Sequence, residues 1–194
     1  MRKFQRLPEP EFLAAKWEQW GLEWEERRQT NPKAQFHWHQ VDGEPVNHKL
    51  LPPLKAQTQN HCSICDNFPV SPPSIDTIEH FRPKSRYPRE AYHWPNLYFC
   101  CMYCQQKSDE FDEAALQPDA PDFEFERYFR WDHTRGTIEV NELATAEDQA
   151  RGEATIQLYR LNEDHPSLRL RALRTRARGS DEPLDDFPYR GFIA

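Results

Sequence analysis

The 194-residue chain has no apolar run approaching the roughly 18 residues that cross a bilayer. Its first residues, MRKFQRLPEPEF, lack the apolar stretch of a secretory signal. A cytoplasmic protein without membrane contact is the expectation. No internal repeat or low-complexity tract is present, which removes solenoids and tandem arrays from consideration. Cysteine is scarce and odd in number, five in all, with four of them in two C-x-x-C pairs. That pattern favours thiolates on a metal in a reducing compartment over a disulfide framework. Excess positive charge is missing too: the formal net charge is −7, which argues against a protein that coats nucleic acid non-specifically.

What the chain does have is 29% charged, 37% hydrophobic and 13% aromatic residues, a polar globular composition whose large anchors need burial. Its length suits one compact unit with extensions. The charges are segregated. Asp and Glu dominate from Asp109 to Glu126, whereas Arg82, Lys84, Arg86 and Arg89 crowd the centre and five arginines fall between Arg169 and Arg178. Such runs serve either as a local basic surface or as solvated helix faces.

Leu13, Trp17, Trp20 and Trp24 recur at helical spacing, with acidic residues early and Arg27 and Arg28 late, which predicts an amphipathic helix from about Glu9 to Gln29, interrupted in character by Gly21. The Trp stripe suits core packing or a partner interface, core packing being the commoner use. Residues 31–60 carry several prolines and read as a connector with a short helix. Within FHWHQ, His37 and His39 share a face if extended, more in keeping with packing than with metal ligation. A β-hairpin is expected over Arg127–Val140, turning at Thr134–Gly136, and two helices over Gln149–Leu161 and Ser167–Arg178.

Cys62 and Cys65 in HCSIC, and Cys101 and Cys104 in CMYC, each bring two thiolates out of one tight turn onto a tetrahedral ion. Four soft ligands select zinc, and a site with no open position contributes folding free energy and no chemistry. Cys100 reads as a buried thiol. The two pairs lie 35 residues apart, so a substantial loop is held between them. That loop contains TIEHF, where Glu79 offers a hard oxygen beside the imidazole of His80, and later WPNL with Asn96.

With HCSIC, IEHFRPKS, YPREAYHWPNL and CMYCQQK in place, the chain resembles the zinc-stapled HNH endonucleases, and within them the HNH subunits of Septu-type anti-phage systems, the PtuB family, which also occur with retrons. MRKFQRLPEP and EATIQLYRLNEDHPSLRLRALRTR extend the likeness over most of the chain. The resemblance implies an α+β, mainly helical fold: a ββα-metal core at 61–115 stapled by the four-cysteine zinc site, an N-terminal helix and connector at 1–60, and a hairpin and helical extension at 116–194, packed as one unit. The first strand would run from Ile75 to about Pro83, pair with the segment around Asn96, and be followed by a helix after Cys101.

The same resemblance implies a metal-dependent endonuclease. His80 would be the general base that activates water, Asn96 would hold the loop that orients it, and Glu79 would bind a catalytic Mg²⁺ or Mn²⁺ at the scissile phosphate. The helix ligand, a His or Asn in better-known members, falls at Gln105, a departure that brings Asp109 forward as a further oxygen donor. Arg82, Lys84, Arg86 and Lys107 would meet the nucleic-acid phosphates, with ion pairs on an exposed loop as their other use. His93 suits a structural or phosphate contact. The implied partners are a PtuA-like ATPase of the ABC or SMC class, a DNA or RNA substrate and, in the retron setting, a reverse transcriptase with its msDNA. A zinc-stapled module that binds nucleic acid or protein without cutting is the alternative, and a purely structural adaptor a third.

Overall fold

In the computed structural model, which describes residues 1–68, 77–179 and 181–194, the expected first helix is two: α1 (Glu11–Ala14) and α2 (Trp17–Thr30). The break falls at Lys16, whose backbone leaves the helical region. Trp20 and Trp24 are buried, so the stripe serves the core and those two rings are not free to dock a partner. Gly21 explains itself by contact. A Cβ there would sit 2.3 Å from the Arg89 carbonyl oxygen, so only glycine lets α2 close on the turn at Pro88–Glu90.

The connector is more ordered than its prolines imply. Asp42 and Gly43 both take positive φ, 54° and 77°, and close a two-residue turn between β1 (Gln40–Val41) and β2 (Glu44–Pro45). Helix α3 (Val46–Ala56) follows and retains Pro52 and Pro53 inside it, with Val46, Leu50 and Leu54 fully buried. Burial of this face outweighs the hydrogen bonds that two prolines remove.

β3 (Thr77–His80) pairs antiparallel with β4 (Leu97–Cys100), setting Glu79 opposite Tyr98 and His80 opposite Leu97. The expected strand began at Ile75; Ile75 and Asp76 lie outside the described residues. All four residues of β4 are buried, because α3 packs against the strand and the N-terminal segment closes over Tyr98. There Phe4 meets the Tyr98 ring edge-on at 6.4 Å and the Arg6 guanidinium lies 4.5 Å from its centre. The expected helix after Cys101 is only a 3-10 turn, Cys104–Lys107, ended by Ser108 at φ 51°. Ser108, at positive φ, turns the chain off the helical path before the acidic stretch begins.

Beyond the acidic loop come α4 (Phe125–Tyr128) and the hairpin of β5 (Phe129–Asp132) and β6 (Thr137–Val140), as the alternating pattern predicts. α5 (Ala146–Leu158) starts three residues earlier than expected because Thr145 caps it, its hydroxyl accepting from the Asp148 amide. α6 (His165–Ala177) and the short α7 (Arg190–Ile193) then return to the cysteine pairs. The Tyr189 amide donates to the Asp66 carbonyl, and Arg190 forms a buried bidentate pair with the Asp66 carboxylate, closest at 2.7 Å. The chain's end is thereby tied to the turn that carries Cys65. Among the described residues the class is mixed α+β, with three two-stranded antiparallel sheets.

Candidate metal centre and active site

The four cysteines expected to share an ion are together. The sulfurs of Cys62, Cys65, Cys101 and Cys104 all lie within 4.8 Å of one another, and every one is buried. A tetrahedral ion with bonds of about 2.3 Å to sulfur sets its ligands about 3.8 Å apart, and the Cys65 and Cys101 sulfurs stand at 3.6 Å. That spacing is far beyond the roughly 2.05 Å of a disulfide. The Cys101 amide donates to the Cys62 sulfur at 3.4 Å, a contact that favours a thiolate there. Burial works against charge on Cys62, but hydrogen bonds from Cys100, Cys101, Cys104 and Cys65 outweigh it and hold that thiol well below its ordinary range. Burial pushes Cys65 and Cys104 well up. The donor set and its spacing fit a metal ion such as zinc. Cys100 is buried beside the group and outside it.

β3 carries the sequence from this centre to His80. The imidazole is 4% exposed; its Nε2–H donates to the Ala91 carbonyl at 2.9 Å, which leaves Nδ1 as the ring's acceptor. Burial, joined by the charges of Lys84 and Lys107, pushes its pKa down to about 3. Its ring stacks on Trp38 at 5.6 Å and meets Phe36 edge-on at 5.7 Å. These two aromatics come from FHWHQ, where the histidines drew notice and the residues alternating with them turn out to face the site. His39 instead stacks on Trp20 at 4.9 Å and reaches Glu23 at 3.3 Å, while His37 is exposed, so the two histidines share no ion. Period-2 alternation already separated the two pairs, and would have found Phe36 and Trp38 once a burial direction was known.

Asn96 latches the loop that runs from His80 to β4. Its Oδ1 accepts from the Arg82 amide at 2.7 Å, and its Nδ2 donates to the carbonyls of Arg82 and Glu90, both at 3.0 Å. Its own carbonyl accepts from Phe81 at 2.9 Å. Since Ala91, the His80 acceptor, follows Glu90, these bonds fix both the imidazole's strand and the carbonyl that orients it.

Glu79 and Lys107 correct the sequence reading. Lys107, expected on the phosphates, has a fully buried side chain and pairs with Glu79 at 2.8 Å, too deep to reach nucleic acid. Burial raises the Glu79 pKa even so, against the opposing charge and hydrogen bond of Lys107. Gln105 spends its amide N–H on the Ile78 carbonyl at 3.3 Å. Asp109 is exposed beyond the turn at Ser108, not one helical turn further along a face, because no helix continues there. Of these oxygen donors Glu79 is already held by an ammonium and Asp109 lies beyond the turn, so the three do not assemble a divalent-cation site as they stand. Among the described residues, His, Cys, Asp and Glu side chains gather into a group able to hold a metal only at the four cysteines.

Of the remaining cations, Lys84 is largely buried, with its pKa lowered by that burial, and its ammonium lies 5.3 Å from the Phe36 ring. Arg82 and Arg86 are exposed; Arg82 pairs with Glu90 at 2.9 Å. His93 packs on Trp17 at 4.4 Å, at a 440 Å³ surface cavity that Arg82 and Arg89 also line. Compared with known families and with curated proteins, the chain matches no family model and no curated protein.

Proposed function

We propose that the protein is a phosphodiester hydrolase acting on nucleic acid, an HNH-type endonuclease serving as effector of an anti-phage defence complex, with Zn²⁺ at Cys62, Cys65, Cys101 and Cys104 as its structural staple. The observation that carries this is the immobilised imidazole: His80 has its Nε2–H committed to the Ala91 carbonyl, its Nδ1 lone pair available, and its loop held by Asn96.

In this reaction Nδ1 accepts a proton from water, the oxygen of that water bonds to phosphorus, and the bond to the leaving sugar oxygen breaks as that oxygen takes a proton from solvent, with the Nδ1 proton returned to solvent afterwards. A base is most effective with a pKa near the working pH, and His80 by itself sits at about 3. A phosphate anion beside the ring raises its proton affinity by Coulomb attraction. Lys84, with the exposed Arg82 and Arg86, would supply the cations that bring the phosphate there. With 4% of His80 exposed, the isolated chain cuts slowly, and an ATPase partner of the ABC or SMC class would expose the ring by displacing the segment that carries Phe36 and Trp38.

A second reading, a zinc-stapled module that binds without cutting, is favoured by one observation, the occupation of Glu79 by Lys107. The two part on one experiment: labelled DNA and RNA incubated with the protein, with and without its ATPase, in Mg²⁺, Mn²⁺ or EDTA. Cleavage that falls by about 10²-fold or more in His80→Ala, with binding retained, is the expected result. Wild-type cutting by His80→Ala would place the base elsewhere and overturn the role of His80, and no cutting by any combination would leave the binding module. The EDTA arm decides whether a divalent cation takes part.

A further inference from the structure

Among the described residues three cationic side chains are buried deeply, and two have carboxylate partners: Lys107 has Glu79, and Arg190 has Asp66. The third is Arg169, on α6. Its residue is 0% exposed, and its Nη1 donates to the Gly136 carbonyl at 3.0 Å, but Nε and Nη2 have no hydrogen-bond partner. No carboxylate reaches it among the described residues. Its guanidinium lies 5.3 Å from the Trp131 ring and 5.6 Å from the Tyr189 ring, which cushion the cation without neutralising it. Two orphaned nitrogens, with three N–H bonds between them, are costly on a buried charge, and a fold retains them only where a nearby anion offsets the cost.

The nearest candidate is the cysteine centre. Tyr189, under the guanidinium, donates its amide to the carbonyl of Asp66, the residue after Cys65, and its hydroxyl is 3.2 Å from Nδ1 of His165. His165 in turn meets Tyr103, between Cys101 and Cys104, edge-on at 5.5 Å. α6 and the entry to α7 thus lie directly over the centre. Burial lowers the Arg169 pKa to about 10, with Cys65, Tyr189 and Cys104 opposing, so the group stays charged at neutral pH and senses two of the four sulfurs.

Four thiolates on a divalent ion carry a net charge of −2, and a dry interior does not tolerate that charge alone. We infer that Arg169 is the counter-charge of the tetrathiolate centre, a positioning residue that holds the metal without ligating it. The inference rests on the four cysteines binding a metal. It assigns a role to one of the five C-terminal arginines whose sequence pattern suggested a basic surface or a solvated helix face.

The test uses the full chain loaded with Co²⁺, whose thiolate charge-transfer absorption reports four sulfur ligands, and follows metal loss to a chelator. Wild-type protein without that absorption would overturn the metal centre itself, separately from Arg169. Given the absorption, Arg169→Met is expected to keep the band while losing metal affinity about 10- to 100-fold, the usual cost of removing an outer-shell partner. Arg169→Lys, which keeps the charge but not the fork to Gly136, is expected to hold the metal close to wild type. Should Arg169→Met fail to fold, Arg169→Lys alone decides: firm retention of metal supports the charge, whereas release tenfold or more faster than wild type overturns it. Arg169→Met that folds and releases metal at the wild-type rate overturns it equally, leaving the guanidinium a packing group on Gly136.

Discussion

Replacing Lys107 by Met is the perturbation that bears most directly on the candidate site. The Lys107 side chain is fully buried, that of Glu79 is 10% exposed, and they meet at 2.8 Å. Removing one partner from such a pair leaves the other charge uncompensated, which costs about 3–5 kcal/mol, whereas replacing both partners with neutral groups of similar size is close to neutral. For a domain of this length that is a fall in Tm of about 6–20 °C. Glu79 has an escape, because burial already pushes its carboxyl upward. Without Lys107 its folded pKa rises further above the unfolded value, so the native state takes up a proton that the unfolded chain does not hold. Native stability of the variant then improves as pH falls through that raised pKa. The expected result in urea unfolding of zinc-loaded protein is a penalty larger at pH 8 than at pH 6, largely cancelled in Lys107→Met/Glu79→Gln. A single-variant penalty independent of pH, or a double variant as unstable as the single, would show that Lys107 contributes packing and not charge.

His80 gives a second pH signature. It is held near 3 in the folded chain, against about 6.5 unfolded. Below pH 6.5 the unfolded chain therefore binds the extra proton, and stability falls with acid by up to about 1.4 kcal/mol per pH unit. His80→Gln should flatten that slope between pH 7 and 5.5; an unchanged slope in urea midpoints would place the titration elsewhere. Gly21→Ala forces a Cβ to within 2.3 Å of the Arg89 carbonyl and is expected to cost about 1–3 kcal/mol; a loss under about 0.5 kcal/mol would mean that α2 shifts freely. Purified protein is expected to carry about one zinc per chain by elemental analysis, and Cys62→Ser to lose both metal and fold while Cys100→Ser keeps them. Equal effects of the two would deny that Cys62, and not Cys100, belongs to the ligand set.

Local chemistry was legible without a structure. The C-x-x-C spacing pointed to convergence within each pair, since two intervening residues suit one tight turn, and the two pairs do form one group. Alternation over Arg127–Val140 pointed to a hairpin, which β5 and β6 form, and the Trp spacing pointed to a helical face whose commoner use, core packing, Trp20 and Trp24 follow. Tertiary structure decided everything that depends on which side chains meet across the chain. A lysine in CQQK reads as solvent-exposed, because nothing local says that a carboxylate 28 positions earlier waits in the interior. Phe36 and Trp38 lie more than forty residues before the imidazole they cover. Arg169 is one of five arginines that look alike in sequence, and only its burial over the cysteine centre sets it apart. The physical reason is the same in each case: turns and helix faces are settled by neighbours in sequence, whereas the desolvation of a charge is settled by the whole fold.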